Sequence, residues 1–309
     1  MKIGLIDVDG CNFPNLAIMK ISAYHKRHGD SVEWYSPLLS GHLDKVYMSK
    51  VFSFTEDYEY FIDADEIDKG GSGYCIKYEN GKEIFDSALN KELPEDVEHI
   101  FPDYSLYPKY TRDRAFGFLT RGCPRSCPFC IVSKKESKQS NKVADLSEFW
   151  NGQSNIELLD PNLLACNDAD ELLQQIVESK TNVNFNQGLD IRFIDEKRAS
   201  LINRIKLEEI HFAWDNINDK DILPGLKKYA RIATRKPHGH FATVYVLTNF
   251  NSDIKDDLER IYTLRALNYD PYVMIYDKEH APREITKLQR WCNNKFIFNT
   301  CDRFEEYKG

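Results

Sequence analysis

A chain of 309 residues is long for one compact core and comfortable for two, so two domains are expected. With 42% hydrophobic, 29% charged and 13% aromatic residues, the composition is that of a folding globular chain and excludes a largely disordered one. A formal net charge of -8 gives no electrostatic footprint for nonspecific nucleic-acid binding and leaves a nucleic-acid substrate undetermined.

Residues 2–8 read KIGLIDV, a short apolar run that ends in the turn-forming Asp9-Gly10, and predict a buried strand. Residues 15–28 carry apolar side chains at helical spacing, with Asn15 as N-cap and Gly29 placed to end the helix. Further strands are expected at residues 32–35 and 45–54. Residues 1–92 therefore predict a small α/β unit with parallel strands, Rossmann-like in kind. Residues 93–113 hold several prolines and aromatics and predict a linker packed against a surface.

Beyond it, strands are expected at residues 115–120, 156–159, 183–185, 209–214, 243–248 and 272–276. Helices are expected at 168–179, 195–205, 253–266 and 283–291, several opened by an acidic residue. Six βα units over residues 114–309, with a carboxyl-terminal extension, predict a partial (β/α)6 barrel with its chemistry at the carboxyl ends of the strands. No run of roughly 18 apolar residues occurs, and the first stretch turns acidic early, so no membrane partner and a cytoplasmic location are expected.

Eight cysteines are present, and three of them fall in the segment RGCPRSCPFC as Cys123, Cys127 and Cys130. Cys11, Cys75, Cys166, Cys292 and Cys301 are dispersed, which predicts a metal site and separate thiols in place of a disulfide framework. Three thiolates ligate three irons of a cubane and leave the fourth iron open to another molecule, whereas electron-transfer clusters use four cysteines. A structural zinc site needs a fourth ligand, and neither His99 nor Cys166 stands at a familiar spacing for one.

With its aromatic Phe129 before the last cysteine, this segment resembles the signature of radical S-adenosylmethionine (SAM) enzymes. The resemblance implies a 4Fe-4S cluster on Cys123, Cys127 and Cys130, SAM on the open iron, and Phe129 near the adenine. It also implies reductive cleavage of SAM to a 5′-deoxyadenosyl radical that modifies an unidentified nucleotide, nucleic acid or peptide, with flavodoxin or ferredoxin as electron donor. Asp160-Pro161-Asn162 resembles the family segment that meets the SAM amino group, making Asp160 and Asn162 candidates; a cap or turn role for Asp160 stands beside that reading. The polar run Asn186 to Arg192 offers Arg192 for the SAM carboxylate and Gln187 or Asp190 for ribose or substrate, against a simple Asp190–Arg192 ion pair. Asp215 is the ribose candidate after the fourth strand, with Thr248-Asn249 and Tyr276-Asp277 as weaker versions of the same rim.

A small α/β unit ahead of such a barrel resembles the cobalamin-binding architecture of one branch of that family, which makes cobalamin a candidate cofactor and cobalamin-dependent methyl transfer an alternative. The cobalt-ligating pattern DxHxxG has no counterpart here, since Asp7-Val8-Asp9-Gly10-Cys11 lacks the histidine. A noncatalytic cluster-binding sensor is the third reading. Gly70-Gly71-Ser72-Gly73 is expected as a flexible turn, the lysines of residues 134–138 as a solvated loop, His238-Gly239-His240 as a loop, and Cys166, Cys292 and Cys301 as structural thiols. No general acid, base or nucleophile is legible.

Overall fold

The computed structural model describes residues 1–10, 13–79 and 82–309 of the chain. Cys11, one of the dispersed cysteines, lies outside them. The fold is mixed α/β with parallel sheets, in two compact units: residues 1–139 with 143–156, and residues 140–142 with 157–309. The stretch 93–113, expected between two domains, belongs entirely to the first unit.

In the first unit, β1 (Lys2–Asp7), α1 (Leu16–Arg27), β2 (Ser31–Trp34), β3 (Leu43–Ser49) and β4 (Ala64–Gly70) form a parallel sheet in the order β2-β1-β3-β4. β1 is buried on both faces, which explains its unbroken apolar run. Ile3 and Leu5 pack with Ile18 of α1, while Ile6 joins Leu43, Val46 and Met48. Asn15 caps α1 by accepting from the Ile18 N–H at 3.3 Å, and its amide donates to the Ser49 hydroxyl at the end of β3. Among the described residues of this unit only α1 is a long helix; β2 reaches β3, and β3 reaches β4, without one.

A short α2 (Ser72–Cys75) leads into an antiparallel pair, β5 (Ile76–Glu79) and β6 (Lys82–Phe85), so the unit is not wholly parallel. Then follow α3 (Glu95–Glu98), α4 (Pro108–Thr111), β7 (Arg114–Gly117), β8 (Thr120–Arg121) and α5 (Val132–Lys135). The aromatic stretch before β7 is bound down by specific polar contacts. Tyr104 donates to the Phe149 carbonyl at 2.7 Å and accepts from the Phe116 N–H, and the Tyr107 hydroxyl donates to Asp7 at 2.7 Å. It is a fastened segment, as its composition predicts.

In the second unit, β9 (Asn141–Lys142) precedes β10 (Asn155–Leu158), which carries the chain across the division. There follow α6 (Ala169–Ser179), β11 (Asn182–Phe185), α7 (Glu196–Ile202), β12 (Lys206–Leu207), β13 (Ile210–Ala213), α8 (Ile222–Ile232), β14 (Ala242–Thr248), α9 (Ile254–Ala266), β15 (Asp270–Ile275), α10 (Arg283–Asn293) and α11 (Lys295–Thr300). β10, β11 and β12 are neighbours in one sheet, and β13, β14 and β15 run parallel in another. Two backbone bonds continue the succession: Asn186 N–H to the Leu158 carbonyl at 2.9 Å, and Leu189 N–H to the His211 carbonyl at 2.8 Å.

Two of the acidic helix openings are capping residues in detail, whereas Asp168 stands before α6 without a side-chain capping bond. Asp195 accepts from the Arg198 N–H, and Asp253 caps α9 through the Lys255 and Asp256 N–H groups. Helix α8 is one the sequence pattern did not predict, because ILPGLKKYARI contains Pro224 and Gly225. Pro224 lies in the first turn, where no intrahelical N–H bond is lost. Gly225 lets the helix approach Ile191, whose Cγ1 would sit 3.1 Å from a Cβ at this position. No helix among the described residues is long and apolar enough to cross a membrane.

Candidate cofactor site

The cysteine segment is a loop closed at its base within the first unit. It leaves β8 at Gly122, whose φ of +88° belongs to glycine and whose missing side chain leaves room for the Gln139 carbonyl and Ser137. The Gly122 N–H donates to Glu136 at 2.8 Å, Arg121 pairs with the other oxygen of Glu136 at 3.1 Å, and the Cys123 N–H donates to the Ser137 carbonyl at 2.9 Å. Residues 122–123 and 136–137 therefore form a neck, and Cys123, Cys127 and Cys130 lie on or beyond it, all part-exposed. Cys127 and Cys130 are the ends of one turn, closed by the Cys130 N–H on the Cys127 carbonyl at 3.0 Å. Phe129, inside that turn, is part-buried.

Among the described residues, no three His, Cys, Asp or Glu side chains are gathered closely enough to hold a metal ion. The donor set nonetheless fits an iron-sulfur cluster in kind and number. Three thiols share one pinned loop, and two of them share a turn.

The neck is braced by contacts that spacing could not reveal. Lys135, expected in a solvated loop, is part-buried, and its ammonium donates to the Ser72 hydroxyl of the Gly70–Gly73 turn. Burial pushes that ammonium below its ordinary value. The turn itself is not a free one. Gly73 donates to the Lys50 carbonyl at 2.8 Å, and a Cβ on Gly73 would meet the Phe52 carbonyl oxygen at 2.7 Å.

In the second unit, several of the predicted residues form a single polar network after β10 and β11. Asp160 and Asn162 are both buried. The Asn162 amide donates to Asp190 at 3.1 Å, and the Asn162 carbonyl accepts from the Ser140 hydroxyl at 2.8 Å. Asp190 grips Arg192 with both oxygens, at 2.6 and 2.9 Å, and the remaining arm of Arg192 goes to Asp219, a residue the sequence did not single out. Arg192 thus forms the ion pair that the structural reading anticipates, with a second carboxylate added. Gln187 is exposed on the turn before Gly188.

Asp215 follows β13 and is largely buried. Burial pushes its carboxyl up to about 6, against the pull of Arg260 and Arg192 in the other direction. Arg260 is fully buried in α9 and donates to the carbonyls of Trp214 at 2.6 Å and Leu247 at 2.9 Å, and to Asp257. It ties together the carboxyl ends of β13 and β14. The weaker rim candidates act in the same structural way, since the Asn249 amide donates to the Tyr276 carbonyl at 2.8 Å.

The other residues weighed in the sequence have local roles. His240 pairs with Asp270 at 3.2 Å, and His238 stacks on Phe241. Cys166 is buried, and burial raises its thiol. Cys292 is fully buried against the Pro271 carbonyl, and burial pushes it up to about 12.

No family model matches the chain, and no curated protein does. Among solved structures it is similar to Streptococcus suis SuiB bound to the precursor peptide SuiA, at 11% identity and a TM-score of 0.42, over 71% of this chain and 55% of that one. It is also similar to SuiB bound to S-adenosylmethionine, at 11% identity and a TM-score of 0.40, over 70% of this chain and 53% of that one. The chain spans about half the length of these structures.

Proposed function

We propose that this protein is a radical SAM enzyme, and the observation that carries the reading is Cys123, Cys127 and Cys130 on one loop with a hydrogen-bonded neck. In this reading the three thiolates hold a 4Fe-4S cluster, and the neck through Gly122 and Glu136 fixes where the loop stands. A cluster held there would supply the electron for reductive cleavage of SAM, the chemistry that yields methionine and a 5′-deoxyadenosyl radical.

The chain's own residues bind and orient. Phe129 flanks the adenine, Asp160 and Asn162 meet the SAM amino group, and Gln187, Asp190, Arg192 and Asp215 serve ribose, carboxylate or substrate. The Asn162–Asp190–Arg192–Asp219 network supports this assignment by holding its members in fixed orientations. A partial (β/α)6 barrel preceded by a Rossmann-like module is the architecture that goes with it, and a flavodoxin or ferredoxin is the electron donor. The cobalamin alternative draws no support from the loop after β1. Asp9 there accepts from the Val51 N–H and the Thr55 hydroxyl, so its carboxylate is occupied in shaping the loop after β3.

The test is anaerobic reconstitution with iron and sulfide, followed by dithionite and SAM. Wild type should show the broad thiolate-to-iron absorption and release 5′-deoxyadenosine, and Cys123→Ala, Cys127→Ala and Cys130→Ala should each lose both. A full cluster with no SAM cleavage overturns the enzyme reading in favour of a sensor; failure to load iron overturns the cluster itself.

A further inference from the structure

The segment that carries the three cysteines is a basic island in an acidic chain. From Arg121 to Lys138 it holds five cations against the single acid Glu136, while the whole chain has a formal net charge of -8. Arg125, Lys134 and Lys138 are exposed, as surface cations ordinarily are. Arg121 is paired, since Glu136 takes its guanidinium on one oxygen and the Gly122 N–H on the other. Lys135 is different. It is part-buried, no carboxylate among the described residues stands within ion-pair distance of its ammonium, and the one hydrogen bond of that ammonium is to the Ser72 hydroxyl.

Both ends of that bond are fixed. The turn carrying Ser72 is tied to the residue after β3, with the Lys50 N–H on the Gly70 carbonyl at 3.0 Å and the Gly73 N–H on the Lys50 carbonyl at 2.8 Å. Gly71, at φ +100°, lies so close on the Lys50 carbonyl that no side chain would fit between them. On the other side, the Lys135 N–H donates to the carbonyl of Ile131, the neighbour of Cys130, at 2.9 Å. Two residues beyond Lys135, the Ser137 carbonyl accepts from the Cys123 N–H at 2.9 Å. Two residues of chain span at most about 7 Å, so the backbone of Lys135 stands beside both ends of the cysteine motif.

We propose, resting on the cluster reading of Cys123, Cys127 and Cys130, that Lys135 is a positioning residue for the iron-sulfur cluster, strap and counter-charge at once. Through Ser72 it fastens the cysteine loop to the parallel sheet of the first unit, and it sets a cation without a carboxylate beside the thiolates. A part-buried ammonium that lacks a carboxylate is costly in the iron-free chain, and thiolates bound to iron supply the missing negative charge. Reduction adds an electron to that negative centre, so a cation held close favours the reduced state and raises the reduction potential. At about 10 Å and an effective dielectric of about 20, the one-electron equilibrium moves by roughly tenfold. The exposed Lys134 and Lys138 are screened by water and salt and contribute far less.

The experiment reconstitutes full-length wild type, Lys135→Met, Lys135→Arg and Ser72→Ala with iron and sulfide, without SAM. It reads the midpoint potential by anaerobic redox titration and the rate of iron release to EDTA. Lys135→Met should be about tenfold less reduced at the potential that half-reduces wild type, a downward shift of about 59 mV for one electron. Lys135→Arg keeps the charge and should titrate with wild type. Ser72→Ala changes no charge and should release iron about tenfold faster, the equivalent of one lost hydrogen bond to a charged donor. Where Lys135→Met does not give a cooperative melt, Lys135→Gln, which retains an N–H donor for Ser72, takes its place with the same expected shift. An unmoved potential in the uncharged variant, an equal shift in Lys135→Arg, or wild-type iron release from Ser72→Ala overturns the assignment. Iron bound with an unmoved potential sinks the role of Lys135 alone, whereas a wild-type chain that binds no iron sinks the cluster as well. Because SAM is absent, the SAM-cleavage result stands or falls separately.

Discussion

The guanidinium of Arg260 donates to the main-chain carbonyl of Trp214 at 2.6 Å, 46 residues away in sequence. With its bonds to Leu247 and Asp257, this one fully buried side chain closes the carboxyl ends of two strands and stands beside Asp215. Truncating it leaves two carbonyls and a buried carboxylate without their donor. Arg260→Met should lower stability by about 3–5 kcal/mol in denaturant unfolding. Arg260→Met/Asp257→Leu should fall short of the sum of the single losses, because the stranded carboxylate is gone. Strict additivity would show that the two residues are not coupled.

Asp215 gives a pH dependence of defined sign. Its folded-state carboxyl is raised from 3.8 to about 6, so between those values the folded chain holds a proton that the unfolded chain has released. The associated stability is complete below about pH 4, declines as pH rises, and is gone above about pH 6. Asp215→Asn removes the titration, so the variant should match wild type at the acid end and exceed it by up to about 3 kcal/mol at neutral pH. Thermal melts across that range decide it; a constant difference between the two proteins would show that Asp215 does not titrate with folding.

The neck of the cysteine loop depends on Gly122. A side chain there faces the Gln139 carbonyl while the backbone stays at φ +88°. Gly122→Ala should cost about 1–3 kcal/mol and reduce iron per protein after reconstitution, although every cysteine is retained. Wild-type iron content in this variant would show that the neck does not set the loop.

Thiol reactivity should divide by burial. Cys292 is fully buried with its thiol pushed up to about 12, so alkylation should follow the global unfolding rate. Cys301 is part-exposed and should react in the native state. Mass spectrometry of timed iodoacetamide quenches separates the two sites; fast native labelling of Cys292 would mean that α10 opens locally.

What could be read from the sequence was local. Strand positions followed from short apolar runs, α1 and α9 from their capping residues, and the cysteine segment from spacing alone. Helix α8 was hidden because Pro224 and Gly225 look like breakers until their places in the first turn and against Ile191 are known. Arg260 was hidden for another reason. Two of its acceptors are backbone carbonyls at the carboxyl ends of strands, and no residue type advertises a carbonyl. The bond between Lys135 and Ser72 spans 63 residues, so a charged run beside a glycine-rich turn read as two unrelated surface features. Asp190 and Arg192 were legible as a pair, whereas Asp219, 27 residues beyond Arg192, was not.

The chain passes between its two compact units at residues 139, 142 and 156, so residues 143–156 return to a unit that residues 140–142 have left. That returning segment carries the Phe149 carbonyl on which Tyr104 closes and the Val143 N–H that donates to Leu119. During synthesis the first unit therefore cannot be completed until residue 156 has cleared the ribosome. A gene fragment ending at residue 139 would express an unfinished body, with the cysteine loop present and part of its support missing.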